Sequence, residues 1–253
     1  MFIGVRVIEQ ERVDLTVVIP AHNEEKYIQR CLDSIQKAAA SYQGCIEVVV
    51  VLNRCTDQTR QIAELYNCVI ITEDSKNLSK IKNAGVRVAR GEMIVTIDAD
   101  SWMAENMLVE VDTLLKTGKY IGGGVGAIRS ERVSLGIIAS SMVIVLPLLL
   151  KYGNIAIGMF WCYKKDFDAI QGFNEKMLMT EDADFAKRLK QWGKKNGKLF
   201  GIIRKATLFI STRRFDTLGD WAIFKNPKII MGYWTGGKNQ KTADLAYYED
   251  QKR

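Results

Sequence analysis

Four short apolar runs rich in β-branched residues alternate with helical patterns over the first hundred residues, and this alternation constrains the fold most. Such runs are typical of strands buried on both faces of a sheet. They are Leu15–Pro20, Ile46–Leu52, Val69–Thr72 and Met93–Ile97. The segments between them, 23–40, 57–66 and 78–89, repeat apolar residues about every 3.6 positions, as amphipathic helices do. The order predicts an α/β fold with a parallel sheet, whose ligand crevice lies outside the carboxyl ends of the strands.

The second half of the chain follows a different pattern. The alternation stops near Gly122, and beyond it we predict a helix over 181–192 and short strands over 199–203 and 207–210. No repeat and no linker separates the halves. We therefore expect a single domain over the 253 residues, with a smaller mixed second half and a loosely held polar tail after Gly237.

Residues 133–150 form an uncharged stretch of 18 residues that includes the run MVIVLPLLL. A membrane-spanning helix needs about 20 residues, and this stretch contains serines, a glycine and a proline. The composition favours a helix that is buried in the core or lies at a membrane surface over one that spans a bilayer. The sequence leaves the first two alternatives open.

Charge and cysteine content limit the partners and the compartment. The chain has 36 basic and 29 acidic residues, a net charge of +7 that favours anionic partners. The basic residues are spread along the chain, so we expect no nucleic acid partner. Five cysteines without a C-x-x-C spacing, and an N-terminus unlike a signal peptide, indicate reduced thiols in the cytoplasm.

The first candidate site is Pro20-Ala21-His22-Asn23-Glu24, between the first strand and the first helix. A helix N-terminus there would favour an anion. The alternative is a purely structural role in which Asn23 caps the helix. His22 is the single histidine of the chain, and we expect it to be structural.

Two acidic motifs are the other candidates. Asp98-Ala99-Asp100 follows the fourth strand, where two carboxylates could hold a divalent cation that neutralises a diphosphate. The chain has three D-x-D pairs, and this one alone follows a strand of the parallel half. Thr180-Glu181-Asp182-Ala183-Asp184 begins a helix, where acids also favour the helix dipole. One of them could serve as a general base.

Taken in order, these motifs resemble the family 2 glycosyltransferases of the GT-A fold. The resemblance extends from about Leu15 to Leu189. It rests on the PAHNEE segment, Asn53-Arg54-Cys55-Thr56-Asp57, Ser79 to Gly85 with Ala89-Arg90-Gly91, Asp98-Ala99-Asp100, Gly172-Phe173-Asn174-Glu175 and Glu181-Asp182. Ser211-Thr212-Arg213-Arg214 is similar to a basic element of one branch of these enzymes.

The resemblance implies a Rossmann-like, mostly parallel sheet flanked by helices. It also implies an inverting transfer of a sugar from a nucleoside-diphosphate sugar, of UDP or GDP type, to an acceptor hydroxyl. Residues 15–100 would bind the nucleotide-sugar, 101–236 would bind the acceptor, and 237–253 would form the tail. The acceptor would be a saccharide. The uncharged stretch 133–150 and the net positive charge together favour a lipid-linked molecule or a cell-envelope glycan as that acceptor, with the protein in the cytoplasm and in peripheral contact with the membrane.

The resemblance also assigns roles to single residues. Asp182 would be the general base with Glu181 beside it, and Asp98 and Asp100 would hold Mn²⁺ or Mg²⁺. The donor-binding residues would be Pro20, Ala21, Asn23 and Glu24 around the nucleotide, Asn53 and Lys82 near the base and ribose, Ala99 within the D-x-D motif, and Arg213 and Arg214 at the diphosphate or an anionic acceptor. On the acceptor side, Gly172 and Phe173 would form a turn near the sugar, and Phe160 and Trp161 an apolar platform.

Two departures from the family pattern limit these expectations. Leu52-Asn53 stands where the family usually has acidic residues, which puts the identity of the nucleotide base in doubt. The C-terminal half has no histidine to act as a third metal ligand. Two alternatives therefore stay open: a sugar-phosphate nucleotidyltransferase, which would normally carry a glycine-rich phosphate loop, and a non-catalytic nucleotide-sugar-binding module.

Overall fold

A computed structural model describes residues 12–152, 158–221, 224, 227–235, 240 and 244. The strands are β1 (Leu15–Ala21), β2 (Ile46–Leu52), β3 (Val69–Thr72), β4 (Met93–Ile97), β5 (Ser101–Met103), β6 (Tyr120–Val125), β7 (Ile128–Ser130), β8 (Met159–Tyr163), β9 (Leu199–Ile203) and β10 (Leu208–Ile210). The helices are α1 (Ile28–Ala40), α2 (Thr59–Glu64), α3 (Leu78–Val88), α4 (Met107–Lys116), α5 (Leu135–Tyr152), α6 (Lys164–Ala169), α7 (Glu181–Lys195), α8 (Arg213–Leu218) and α9 (Pro227–Thr235).

A seven-stranded sheet in the order β3-β2-β1-β4-β8-β6-β9 forms the centre of the molecule. The four strands of the first half are parallel, as the alternation predicts. Strand β8 runs antiparallel to both β4 and β6, while β9 is parallel to β6. A second sheet, β5-β10-β7, has three short strands. The mostly parallel sheet and the mixed second half are both confirmed.

Helices cover both faces of the large sheet, because successive side chains of a buried strand point to opposite sides. In β1, Val17 packs in the cluster with α1 and α4, whereas Val18 packs in the cluster with α3 and α7. Helix α3 lies so close to the sheet that a Cβ at Gly85 would be 2.3 Å from the Val18 side chain. This contact brings the residues of α3 to the carboxyl ends of β1 and β4.

Phe160 and Trp161 of β8 lie in the core, so the prediction that they form an acceptor platform is wrong. The Trp161 indole donates a hydrogen bond to the Gly124 carbonyl at 3.1 Å. It also fills the space above Gly201, where a Cβ would lie 2.6 Å from the ring. Strand β8 lies inside the sheet between β4 and β6, and the cluster with α1 and α4 covers Trp161 while the cluster with α3 and α7 covers Phe160, so neither ring reaches solvent.

The first helix starts later than its apolar spacing predicts. It begins at Ile28 instead of near Asn23, whose φ of 51° lies in the left-handed region. The Asn23 side chain accepts a hydrogen bond from the Thr56 backbone N–H at 2.8 Å. Asn23 therefore joins the loops after β1 and β2, and the capping alternative is wrong.

The uncharged stretch forms one helix, α5, that is long and apolar enough by length and composition to cross a membrane. About a fifth of its 18-residue window is buried inside the protein. The expectation of a buried core helix is therefore wrong for most of its length. Of the predicted polar tail, only residues 240 and 244 lie within the described part of the chain.

Candidate functional site

The predicted acidic motifs meet at the carboxyl ends of β1 and β4, next to the start of α7. This is the edge where parallel α/β sheets bind ligands. Asp98 and Asp100 follow β4, Glu24 follows β1, and Glu181 and Asp182 open α7. Two basic residues, Lys82 and Arg213, lie among these five carboxylates and offset part of their negative charge.

Lys82 on α3 is the cation at the centre of the first group of acids. Its side chain is 2% exposed, and its Nζ lies 2.8 Å from Asp182 Oδ1. The Nζ atom is also 3.8 Å from Asp98 Oδ1 and 3.8 Å from Glu181 Oε1. Burial lowers the pKa of Lys82, but the three carboxylates outweigh burial and raise it. Lys82 was predicted near the base and ribose; the structure instead places it among the carboxylates.

The acids of this group are held close together in a partly desolvated place. Burial raises the pKa of Asp98 and of Glu181, and Lys82 opposes the rise in both. The Asp98 side chain is still 35% exposed, so the group opens to solvent on the side of β4. Perturbed carboxylates in a crevice are typical of catalytic sites.

Gly158, just before β8, links the D-x-D motif to α7, and the sequence patterns did not single it out. Its carbonyl accepts a hydrogen bond from Asp98 N–H at 3.3 Å, and its own N–H donates to Asp182 Oδ2 at 3.4 Å. Its φ is +76°, a conformation that favours glycine. An isolated glycine before an apolar run carries no signal for this role.

Arg213, the first residue of α8, bridges Glu24 and the last carboxylate of the D-x-D motif. Its guanidinium contacts both Glu24 oxygens, one of them at 2.7 Å, and its Nε lies 3.1 Å from Asp100 Oδ2. Ser211 Oγ donates to the same Asp100 oxygen at 3.1 Å. Burial raises the pKa of Glu24, and Arg213 opposes this. The Arg214 side chain lies outside the described residues.

The residues predicted to line the nucleotide pocket make hydrogen bonds within the protein. The buried Asn53 amide donates to the Glu73 carbonyl and, at 2.9 Å, to the Ser75 carbonyl. Asn53 thus holds the loop after β3 and offers no amide hydrogen to a base in this arrangement. Its own carbonyl contacts His22 Nδ1, which fits the structural role expected of His22. Pro20 and Ala21 are the last residues of β1 and are buried.

Gly172 and Phe173 form the predicted turn, but Phe173 does not face a sugar. Gly172 has a φ of +60°. The buried Phe173 ring stacks on Phe185 with centroids 4.3 Å apart. It lies 5.0 Å below Lys82 Nζ, so it forms the floor of the charged group. The prediction that Phe173 contacts the acceptor is therefore wrong.

Asp98 and Asp100 have the oxygen donors that Mn²⁺ or Mg²⁺ prefers. Across the described part of the chain, the structure has no group of three or more His, Cys, Asp or Glu side chains that could hold a metal. Magnesium sites commonly use one or two carboxylates together with substrate phosphates and water. The two carboxylates therefore fit an ion that arrives with a diphosphate, although Arg213 and Ser211 engage one Asp100 oxygen.

Comparison with known proteins gives a consistent result. The sequence profile described as "Glycosyl transferase family 2" matches residues 16–166, more than half of the chain. The glycosyltransferase GlyA of Streptococcus pneumoniae serotype 4 is 31% identical over 107 residues, which are 40% of this chain and 14% of GlyA. TarS of Staphylococcus aureus, a poly(ribitol-phosphate) beta-N-acetylglucosaminyltransferase, is 32% identical over 99 residues, 37% of this chain and 17% of TarS. The matched segments thus span less than a fifth of either relative.

Solved structures extend the likeness over most of the chain. TarS 1–349 in complex with UDP-GlcNAc gives a TM-score of 0.60 at 18% identity, covering 94% of this chain and 71% of that one. The mannosyltransferase PcManGT from Pyrobaculum calidifontis, in complex with GDP-Man and Mn²⁺, gives 0.58 at 20% identity, covering 79% and 57%. At these identities the likeness shows the fold alone, and it confirms the expected GT-A architecture.

Proposed function

The chain belongs to glycosyl transferase family 2, and on this premise we propose that it transfers a sugar from a nucleoside-diphosphate sugar to an acceptor hydroxyl. The observation that carries the proposal is the meeting of Asp98, Glu181 and Asp182 around Lys82 at the ligand-binding edge of the sheet. A donor of UDP or GDP type is supported by structural neighbours whose complexes contain UDP-GlcNAc and GDP-Man.

Asp182 is the general base of the proposed reaction. Its carboxylate takes the proton of the acceptor hydroxyl while the acceptor oxygen bonds to the anomeric carbon of the sugar. The bond from that carbon to the diphosphate oxygen breaks in the same step, which inverts the configuration. Lys82 and the Gly158 N–H each hold one Asp182 oxygen, so the carboxylate is oriented before substrate arrives.

The leaving diphosphate accumulates negative charge, and the chain offers two means to stabilise it. Asp98 and Asp100 would hold Mn²⁺ or Mg²⁺, and the ion would neutralise diphosphate oxygens when bound. Arg213 stands beside the same carboxylates and has the planar donor geometry that suits phosphate oxygens. In the proposal, Arg213 turns from Asp100 toward the diphosphate when the donor binds.

For the acceptor, we propose a cell-envelope saccharide or a lipid-linked molecule, modified in the cytoplasm. TarS, which is 32% identical to this chain over 99 residues, is by its name a transferase for poly(ribitol-phosphate). An anionic acceptor of this class suits a protein with a net charge of +7. The family match weighs against the sugar-phosphate nucleotidyltransferase, and the paired carboxylates weigh against a module without catalysis.

A thermal-shift panel tests the proposal. UDP, GDP, CDP and TDP are each added with and without Mn²⁺ or Mg²⁺, since a ligand at 100 times its dissociation constant stabilises by about 2.7 kcal/mol. We expect a metal-dependent shift with one nucleotide, lost in Asp100→Ala and retained in Asp168→Asn, which alters another D-x-D pair. If no nucleotide shifts the melting temperature, the nucleotide-sugar proposal fails.

A further inference from the structure

Helix α5 carries an uncovered apolar stripe along its length. Leu135, Ile138, Met142, Leu146 and Leu150 are all exposed. Their spacing of three or four residues places them on one face of the helix, and at 1.5 Å per residue the stripe is about 22 Å long. A helix that faces water normally carries charged or polar side chains on this face.

The buried residues of α5 are two small ones, Gly136 and Ser140, and two aliphatic ones, Ile137 and Leu148. A Cβ at Gly136 would lie 2.7 Å from the Asp220 side chain. Ser140 Oγ donates to the Asp220 carbonyl at 2.7 Å, and Ser134 Oγ contacts the Asp220 carboxylate. Gly136 and Ser140 therefore lie where α5 contacts Asp220, whereas the exposed stripe consists of other, aliphatic residues.

Helix α9 extends the apolar stripe with an exposed tryptophan. The Trp234 indole donates to the Val143 carbonyl at 3.2 Å, and Lys151 Nζ donates to the Trp234 carbonyl at 3.3 Å. Tryptophan is favoured where one side of a ring contacts apolar material and its N–H stays near polar groups. The α5 surface is defined here as Leu135, Ile138, Met142, Leu146, Leu150 and Trp234.

The margins of the α5 surface are basic. Segments 128–152 and 227–235 contain four basic residues and a single acidic one. Glu131 is paired with Arg30 at 2.6 Å, and Arg132 is paired with Asp216 and Asp220, so the excess positive charge of these segments rests on Arg129, Lys151 and Lys228. Basic residues beside an apolar surface attract anionic lipid headgroups.

We propose that the α5 surface docks on an anionic lipid bilayer, with α5 lying in the plane of the membrane interface. A second copy of the chain is a poorer occupant, because a two-fold contact would bring the basic margins of the two copies together. Spanning of the bilayer is disfavoured because Ser134 and Ser140 bind α5 to Asp220 of the protein body. The apolar stripe of α5 is exposed, whereas Gly136 and Ser140 of the same helix already contact Asp220.

The α5 surface is connected to the proposed active site through Arg132 and α8. Arg132, which precedes α5, is 2.7 Å from Asp216 of α8 and 2.7 Å from Asp220. Helix α8 begins with Arg213, the residue that contacts Glu24 and Asp100. Docking would therefore bring α8, and with it the carboxylates that Arg213 contacts, close to the bilayer. If the proposed function holds, on which this step rests, the acceptor is presented at the membrane surface.

Vesicle sedimentation of the purified full chain tests the docking surface. Vesicles of phosphatidylcholine with phosphatidylglycerol are compared with vesicles of phosphatidylcholine alone. The test variant is Leu146→Gln with Leu150→Gln. The control is Leu65→Gln with Leu199→Gln, which also removes two exposed leucines; Leu65 is 83% exposed and Leu150 is 84% exposed. All four positions are at the surface, so the comparison does not depend on a change in the core.

We expect the wild-type chain and the control to bind the anionic vesicles and to bind neutral vesicles less. The α5 variant should bind about tenfold more weakly, because each leucine would otherwise leave water on docking. Equal binding by both variants, or no binding by the wild-type chain, would overturn the proposal. A dimer in solution that the α5 variant dissociates would identify a second copy as the occupant instead.

A nucleotide thermal shift on the same samples separates this inference from the proposed function. The α5 variant should keep the shift, because the stripe is not part of the donor site. Vesicle binding without a nucleotide shift would leave the docking surface standing while the transferase proposal fails. A nucleotide shift without vesicle binding would support the transferase proposal and overturn the docking surface.

Discussion

The ammonium group of Lys82 lies 2.8 Å from Asp182 Oδ1, so one buried cation on α3 holds the first turn of α7, 100 residues further along the chain. The same cation faces Asp98 and Glu181. A buried charge is tolerated when it is paired, and removal of one partner leaves the others without compensation. Lys82 is therefore a structural and electrostatic centre of the site.

Lys82→Met should lower the free energy of unfolding by about 3–5 kcal/mol, because three carboxylates would lose their common cation. Urea denaturation of the purified protein measures the change. Lys80→Met removes an exposed lysine from the same helix and should change the stability by about 0.5 kcal/mol or less. Equal stability of the two variants would show that the Lys82 contacts contribute nothing to the fold.

Asp182→Asn should lower turnover about 10²- to 10⁴-fold, because the amide cannot accept the acceptor proton. The nucleotide thermal shift should persist, since Asp98 and Asp100 are unchanged. Asp184→Asn is the matched control, because the Asp184 carboxylate binds Arg188 at 2.6 Å instead of Lys82. Normal turnover by Asp182→Asn with bound donor would exclude Asp182 as the base.

Trp161→Ala should lower the free energy of unfolding by about 3–5 kcal/mol, because Trp161 is a core residue and its removal leaves a cavity. Trp234→Ala deletes an exposed indole and should cost about 1 kcal/mol or less. Chemical denaturation of both variants measures the difference. A small loss for Trp161→Ala would instead support the acceptor platform that the structure contradicts.

The sequence was sufficient to predict the parallel half of the sheet and the convergence of the acidic motifs at one edge. Strands buried on both faces are recognisable from β-branched runs, and parallel strands end at one edge, so motifs that follow them converge. The position of β8 was not predictable, because its pairing with β4 joins residues more than 60 positions apart. Phe160 and Trp161 were consequently assigned to a surface.

The sequence patterns also did not predict that Lys82 pairs with the carboxylates of the site. A lysine on an amphipathic helix normally lies at the surface. Here the close contact of Gly85 with Val18 brings α3 down onto the sheet, and Lys82 enters the space between Asp98 and Asp182. Side-chain direction at such a contact is decided by packing between elements, which periodicity does not encode.

A buried carboxylate far from the site, Glu47 on β2, provides a test of stability against pH. Glu47 accepts hydrogen bonds from Thr16 Oγ1 and the Arg90 N–H, each at 2.9 Å, and pairs with the Arg90 side chain. Burial alone would raise the pKa of Glu47, but these bonds to Arg90 and Thr16 outweigh it and lower the pKa below 4.5. The folded state therefore prefers the ionised form.

Because the folded pKa lies below the unfolded one, the stabilisation by Glu47 is complete above about pH 4.5 and is lost as the pH falls through the folded pKa. Glu47→Gln should therefore lower the free energy of unfolding by about 1.5–3 kcal/mol at pH 7, the usual range for hydrogen bonds to a charged group. The difference from wild type should shrink below pH 4.5. Urea denaturation over a pH series measures it, with the exposed Glu64→Gln, paired only loosely with Arg60, as the control. If the difference in unfolding free energy stays constant as the pH falls below 4.5, the lowered pKa is contradicted. Protonated Glu47 would then stabilise the fold as much as ionised Glu47.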